Sequence, residues 1–447
     1  MSRIRPLSGF PELLPRERIV EQRLTDVLRE VFELHGFASV ETRAVEPVDQ
    51  LLHHGETDKE IYTLRRLHGA DDDSSAARLG LHYDLTVPLA RYVLEHAGQL
   101  EFPFRRYQIQ KAWRGERPQE GRYREFTQAD IDVIGRDSLS FVHEIEVAQV
   151  MADVFARLPL PPVTMQVNSR RLIEGFYRGL GIESAADVAA AMRVVDKLDK
   201  IGAAEAGRQL VETVGLADAQ AKACLQLTGI TATADDLESQ VAGLGVRHPL
   251  LDEGVAELAR VLSGVRDLAG PHFSVVADLR IARGLDYYTG TVYEVRMAGL
   301  DLTMCAGGRY DALATDGRTT YPGVGLSFGV SRTLVPLLAR GTLTASRATP
   351  TAVLVALANE EVRPAADVVA RLLRGRGVPV EISPSAAKYG KQIRFAERRG
   401  IPFVWFPQDD GTHQVRDIRS GLQIVADVNT WAPPPDDLHP SIVKDSS

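Results

Sequence analysis

Cysteine is nearly absent. Only Cys224 and Cys305 occur in 447 residues, far apart and in no metal-ligand spacing. That excludes a disulfide framework and a cysteine-based zinc site, and both read as reduced, buried thiols. Long apolar runs are also missing. None approaches the ~20 residues that a membrane span requires, and Met1 to Pro15 holds no apolar signal core. The expectation is a protein of the cytoplasm with no membrane partner. Positive charge is not in excess either. The formal net charge is −8, which speaks against nonspecific nucleic-acid binding but not against a local basic site. No G-x-x-x-x-G-K-[ST] loop is present, and Gly323-x-Gly325-x-x-x-Gly329 has the wrong spacing for a dinucleotide fingerprint. ATP, if used, must therefore bind on another kind of fold. No Cys–His or Ser–His arrangement suggests a protein nucleophile, and no internal repeat is found.

The composition, 44% hydrophobic and 25% charged, is that of a globular protein. The length calls for two to four domains. Val20, Leu24, Val27, Leu28 and Val31 recur at helical spacing, with Pro15 near the start and Gly36 at the end, so residues 16–36 predict an amphipathic helix. A strand follows at Phe37 to Thr42. Residues 71–76 (DDDSSA) read as a solvated loop. Residues 104–114 and 124–134 read as two strands of an antiparallel hairpin whose long loop holds Gly115, Pro118 and Gly121. The segment 169–262 reads as a mainly helical insertion. Strands return at 272–279 and 291–297, then a glycine turn at 305–313 and a strand-to-helix passage at 323–338. After a linker near 341–350, strands at 353–357, 378–382 and 403–406 alternate with helices at 362–374 and 386–399, the pattern of a small α/β domain. The Pro- and Asp-rich tail 432–447 reads as disordered.

Four stretches can carry chemistry. Residues 105–124 gather Arg105, Arg106, Lys111, Arg114, Arg117, Arg122 and Arg124 against only Glu116 and Glu120. On the returning strand Gln128 and Asp132 share one face, roughly 13 Å apart at ~3.3 Å per residue, where long side chains can converge on a ligand. Arg114 adds a cation suited to phosphate or carboxylate. A polar, solvated sheet face explains the same spacing. Asp84 and Thr86 in Tyr83-Asp84-Leu85-Thr86 can hold an ammonium group, or Thr86 can cap the helix that Pro88 enters. Arg283-Gly284-Leu285-Asp286-Tyr287-Tyr288-Thr289-Gly290 brings two phenols that want partners if buried, or is a turn into a core strand. Gly325 to Arg332 runs a glycine strand into a helix, allowing close backbone approach to a ligand with Arg332 over a base or phosphate, or simply tight packing.

Order and wording together identify the chain as resembling the histidyl-tRNA synthetases, from about residue 5 to 430. FRRYQIQKAWRGERPQEGRYREFTQADIDVIG resembles motif 2 of class II aminoacyl-tRNA synthetases, and GVGLSFGVSRTLVPLL resembles motif 3. RGLDYYTGTVYE and CAGGRYDAL resemble the two histidine-specific signatures, and LHYDLTVPLARY is similar to the amino-acid-binding strand. VNSRRLI, VDKLDKIG and KYGKQIRFAERRGIPFV have family-like wording too. The H-x-G-H and K-M-S-K-S signatures of class I are missing.

The resemblance implies an α+β catalytic domain with an antiparallel sheet of class II synthetase type, a helical insertion and a C-terminal anticodon-binding α/β domain. The corresponding spans are 1–168 and 263–340 for the catalytic domain, 169–262 for the insertion, 349–431 for the anticodon domain and 432–447 for the tail. It implies ligation of L-histidine to its tRNA with ATP as substrate, Mg2+ accompanying ATP, no prosthetic group, and a homodimer; a resident metal site is left unassigned. Carried over by position, Asp84, Leu85, Thr86, Gln128 and Asp132 would hold histidine. Tyr287 and Tyr288 would shape the imidazole pocket. Arg114 and Arg283 would stabilise charge at the α-phosphate and touch the amino acid. Glu116 and Arg332 would join Arg114 on ATP, and Gln119, Arg122 and Arg124 would lie near the tRNA acceptor end. Two positions depart from the family wording: His82 stands where Arg is usual, and Arg43 where a dimer-interface Pro is usual. A histidine-sensing paralogue without ligase activity, and a class II synthetase for another amino acid, remain open on sequence.

Overall fold

The structure, a computed structural model, describes residues 5–52, 60–65, 78–281, 288–408 and 411–444. The expected loop at 71–76, and the expected site residues Arg283 and Tyr287, lie outside the described residues. The chain divides into two compact units, one of residues up to Pro11 with Thr25–Pro336, the other of Glu12–Leu24 with Leu337 onward.

Helix α1 (Pro15–Leu34) buries Val20, Leu24, Leu28 and Val31, the face that its periodicity predicts. Gly36, at φ 77°, turns the chain out of it. The strand expected over 37–42 is only two residues long, β1 (Ala38–Ser39), because its backbone pairs with one neighbour alone.

Eight further strands join β1 in the large sheet of the first unit. They are β2 (Phe104–Trp113), β3 (Glu125–Ile134), β4 (Val163–Ser169), β5 (Thr231–Ala232), β6 (Phe273–Asp278), β7 (Thr291–Met297), β8 (Leu300–Thr315) and β9 (Thr320–Gly329). Their order is β1-β2-β3-β9-β8-β7-β4-β6-β5. The run from β2 to β4 is antiparallel throughout, while β1–β2 and β4–β6 are parallel. The expected hairpin is β2–β3, in register from Phe104↔Ile134 to Trp113↔Glu125.

Period-two alternation gives this sheet one apolar and one polar face. On β3, Ala129, Ile131 and Val133 are buried on the apolar side, and on β9 so are Val324, Leu326 and Phe328. Helix α2 (Thr86–His96) leads into the sheet, and helix α3 (Val142–Arg157) covers the apolar face, where Phe155 meets Phe328 and Phe273 with ring centroids 6.0 and 6.1 Å apart. Each large side chain buried there contributes about 1.5–3 kcal/mol. The opposite face carries Gln128, Asp130, Asp132 and Ser327 and is left to the site.

Residues 305–313 are not a turn. They lie inside the 16-residue strand β8, paired on both edges with β7 and β9. The span 169–262, expected to be mainly helical, opens with helix α4 (Arg170–Gly179), where Ser169 accepts from Leu172 N as N-cap, and holds six further helices from Ala185 on, the last running to Arg266, but also the short strand β5.

In the second unit, strands β10 (Val353–Val355), β11 (Val380–Ile382), β12 (Phe403–Pro407), β13 (His413–Asp417) and β14 (Gln423–Val425) form a sheet in the order β11-β10-β12-β13-β14, parallel at the first three and antiparallel after. Helices α5 (Arg363–Gly375) and α6 (Tyr389–Arg399) supply Ala366, Val369, Leu373 and Ala396 to the cores beside it. The tail departs from its composition: Pro435–Leu438 is a helical turn, and Ile442–Lys444 pairs antiparallel with Leu343–Ala345. Main-chain pairing with a distant segment orders it, which local composition does not report.

Candidate active site

The hairpin register sets the floor of the site. Arg106 pairs with Asp132, Gln108 with Asp130 and Gln110 with Gln128, while on the other edge of β3 Gly325 faces Asp132 and Ser327 faces Asp130. All these side chains rise from the polar face. Asp132 sits at the centre. Its Oδ2 is 2.7 Å from a guanidinium nitrogen of Arg106, whose side chain is 0% exposed. Its Oδ1 accepts from the Tyr310 hydroxyl at 2.6 Å. The site also explains Gly325: a Cβ there would lie 2.0 Å from Asp132 Oδ1. Asp130 Oδ1 accepts from Ser327 Oγ at 2.5 Å, and Ser327 Oγ accepts from Gln128 Nε2 at 2.7 Å.

Two buried carboxylates thus share one buried arginine. Burial pushes both up, against the pull of Arg106 and, for Asp132, of the Tyr310 hydroxyl. Asp130 is raised to about 7, with Asp132 and Asp84 adding to the rise. Tyr288 is partly buried beside them, and desolvation followed by Asp132, Asp130 and Asp84 pushes its hydroxyl well up, so it stays a phenol.

Above this floor opens a cavity of ≈ 560 Å³. Asp84 and Thr86 line it at the start of α2. Asp84, not Thr86, supplies the cap, with Oδ1 accepting from Val87 N at 3.0 Å; Thr86 is the first helical residue. Leu85 is fully buried between them, its carbonyl 3.4 Å from the Arg106 guanidinium. Gln128, Tyr288 and Cys305 line the cavity deeper, and Arg332 lines it from the first turn of helix α7 (Val330–Ala339). Asp132 lies beneath the lining rather than in it.

Arg114, Glu116 and Arg122 line the mouth. Arg114 Nε donates to the Tyr83 carbonyl at 3.0 Å, and its guanidinium lies 5.2 Å from the Phe126 ring centroid. Arg114 and Arg122 flank Glu116 at 3.8 and 3.6 Å. Glu60 is raised by burial and then by Glu116, with the two arginines opposing. The loop is shaped by a Gln119–Arg122 bridge, and Arg124 Nε donates to the Glu116 carbonyl at 3.2 Å. Gln119 and Arg124 therefore belong to the loop and not to the cavity lining.

Several residues of this arrangement went unread in the sequence. Asp130 and Ser327 share parity with Gln128 and Asp132, which was the available signal. Arg106, a charge in mid-strand, was another. A polar network behind Tyr288 had none: Glu144 accepts from Thr291 N at 3.1 Å and from Arg309 at 3.0 Å, Arg309 also pairs with Asp311 at 3.0 Å, and Thr289 Oγ1 donates to Asp311 at 2.5 Å. It pins residues 289–291 to β8 from a helix more than 140 positions away. Tyr288 in turn lies against Gly308, where a Cβ would meet its ring at 2.8 Å and the Thr291 carbonyl at 2.5 Å.

The two departures from family wording have local partners. His82 is buried, with Nε2 2.7 Å from the Lys111 carbonyl and its ring 5.5 Å from that of Trp113. Arg43 Nε donates to Glu46 at 3.0 Å, and Glu46, 1% exposed, also receives Arg91 at 2.8 Å. Among the described residues, no group of three or more His, Cys, Asp or Glu side chains is placed to hold a metal ion, and no helix is long and apolar enough to cross a membrane.

Residues 9–333 match the family model described as histidyl-tRNA synthetase, and residues 351–429 match that of an anticodon binding domain. A histidine–tRNA ligase of Cutibacterium acnes is 53% identical over 458 residues, covering 99% of each chain. One of Micrococcus luteus is 52% identical over 462 residues, again 99% of each. The crystal structure of histidyl-tRNA synthetase from Nostoc sp. PCC 7120 superposes with a TM-score of 0.83 at 33% identity, over 95% of this chain and 97% of that one.

Proposed function

The chain belongs to the histidyl-tRNA synthetase family, and from that premise we propose that it joins L-histidine to its tRNA through a histidyl-adenylate. The observation that carries the reading is the composition of one cavity: buried carboxylates and phenols at its floor, arginines at its mouth and wall. The first suit an amino acid with a hydrogen-bonding ring, the second a polyphosphate.

In the first step an oxygen of the histidine carboxylate attacks the α-phosphorus of ATP in line, and pyrophosphate leaves. Arg114 is held by the Tyr83 carbonyl and Phe126, so its charge is fixed before the phosphoryl oxygens gain theirs, which favours the transition state. Arg283 is assigned the same task at the α-phosphate, and Glu116 and Arg332 the binding of ATP. Mg2+ would accompany ATP as part of that substrate and would supply positive charge at the leaving phosphates; Glu60 and Glu116, both lining the cavity, would offer it hard oxygen donors. Asp84, Leu85, Thr86, Gln128 and Asp132 bind histidine, with Tyr287 and Tyr288 around its imidazole. A pocket that pairs every polar atom of imidazole rejects side chains that leave those groups unpaired. In the second step the terminal 3′-hydroxyl of the tRNA attacks the acyl carbon and AMP leaves, with Gln119, Arg122 and Arg124 near the acceptor end. We assign catalysis to residues 1–168 and 263–340, an insertion to 169–262 and anticodon binding to 349–431. A homodimer working in the cytoplasm completes the reading.

Pyrophosphate exchange into ATP, run side by side with all twenty amino acids, tests it. Exchange with histidine alone is expected. Exchange with another amino acid, or none, overturns the function. Arg283→Ala should abolish exchange with its melting temperature unchanged; unaltered exchange removes Arg283 from the mechanism.

A further inference from the structure

Gln128 has an orientation that sequence cannot assign. Its Nε2 donates to Ser327 Oγ at 2.7 Å, and its Oε1 is buried without a hydrogen-bond partner. Gln128 and Ser327 both line the cavity. A buried, unsatisfied amide oxygen costs about 1–3 kcal/mol unless something fills it, so it marks a place for an N–H of a ligand.

The direction of these bonds follows from what lies below them. Ser327 has one hydroxyl hydrogen, and it goes to Asp130 Oδ1 at 2.5 Å. A carboxylate can only accept, so the Ser327 oxygen is left to accept from above. Only the NH₂ end of Gln128 can supply that bond. With the amide reversed, Oε1 would face an oxygen whose hydrogen is already committed. We propose that Asp130 is a positioning residue, which through Ser327 locks the Gln128 amide with its oxygen toward the amino-acid pocket, and that loss of the Asp130 negative charge releases the lock. A protonated Asp130 can donate to Ser327, Ser327 can then donate to Gln128, and both amide orientations become permitted.

The inference rests on the synthetase reading and adds to it a residue that never touches substrate. The groups facing Asp130 bear on its charge. Arg106 on β2 favours the carboxylate; Asp132 on its own strand and Asp84 before α2 oppose it; Ser327 on β9 donates to it; and Tyr288 and Cys305 on the β8 side stay protonated. The balance leaves Asp130 raised to about 7.

Pyrophosphate exchange with the full chain reads the relay as KM for histidine against KM for ATP. Ser327→Ala should raise KM for histidine about tenfold at pH 8, the worth of an oriented hydrogen bond to a charged group. KM for ATP should stay within about twofold. The variant-to-wild-type ratio of histidine KM should fall toward one between pH 8 and pH 6, because the wild type loses its lock as Asp130 takes up a proton. Protonation of free histidine is common to both proteins and cancels in the ratio. Asp130→Asn/Ser327→Ala should match Ser327→Ala, since a broken relay cannot be broken twice. A ratio near one at pH 8, a ratio flat with pH, or an equal rise in both KM values overturns the relay while leaving the ligase reading intact. Absence of histidine-dependent exchange in the wild type overturns both.

Discussion

Arg106→Met is the sharpest test of the cavity floor. Methionine replaces the stem of the side chain and removes only its charge and donors. Arg106 is fully buried and 2.7 Å from a buried Asp132 oxygen, and it is the principal influence holding Asp130 and Asp132 down against burial. Removing one partner of such a pair costs about 3–5 kcal/mol. At roughly 2 °C per kcal/mol for a domain of this size, melting at pH 8.5 should fall by about 6–10 °C. The pH dependence carries the sign. A carboxyl whose folded pKa is raised contributes stability that is full at low pH and lost as pH rises through that pKa. Without Arg106 both carboxyls take protons at higher pH than in the wild type, so the deficit of the variant should shrink as pH falls from 8.5 to 6. Differential scanning calorimetry across that range is the measurement. A deficit that is the same at both ends would show that Arg106 acts through packing, and refute the electrostatic account; no deficit at all would refute the pair.

Three further outcomes are expected. Gly308→Ala places a methyl 2.8 Å from the Tyr288 ring, and should raise KM for histidine at least tenfold in pyrophosphate exchange with little change for ATP. Arg114→Lys keeps the charge but loses the planar contact over Phe126 and the Nε bond to Tyr83, so kcat for exchange should drop about a hundredfold or more, seen in single-turnover rates. Leu373→Ala, in the core beside β10 to β13, should cost the second unit about 2–5 kcal/mol, visible as an earlier calorimetric transition, while histidine-dependent exchange persists.

Legibility in the sequence followed the range of the forces involved. The β2–β3 hairpin was readable to within a residue at each end, because alternation and a glycine–proline loop are local signals. So was β7, while α1 and the alternating elements of the second unit were placed to within two or three residues and β13 and β14 were not foreseen. CAGGRYDAL was misread as a turn because glycine is a turn former in isolation. In β8 the same glycines exist for a non-local reason, the approach of Tyr288 and the Thr291 carbonyl to Gly308. Within the tail, Ile442–Lys444 is likewise extended for a non-local reason, its pairing with Leu343–Ala345. Thr86 was weighed as the cap of α2; the backbone turn gives that bond to Asp84.

By itself the sequence determined the family, the placement of the helical and alternating segments, and the residue types that bind an amino acid and a nucleotide, for these are recorded in short ordered motifs and in local periodicity. Only the tertiary structure decided which polar residues act together. Antiparallel register laid Arg106 beside Asp132 and Ser327 beside Asp130, and the fold then removed water from them. Burial makes one arginine between two carboxylates a constraint on charge, and one serine between a carboxylate and an amide a constraint on direction. Neither exists for the same residues in a solvated chain.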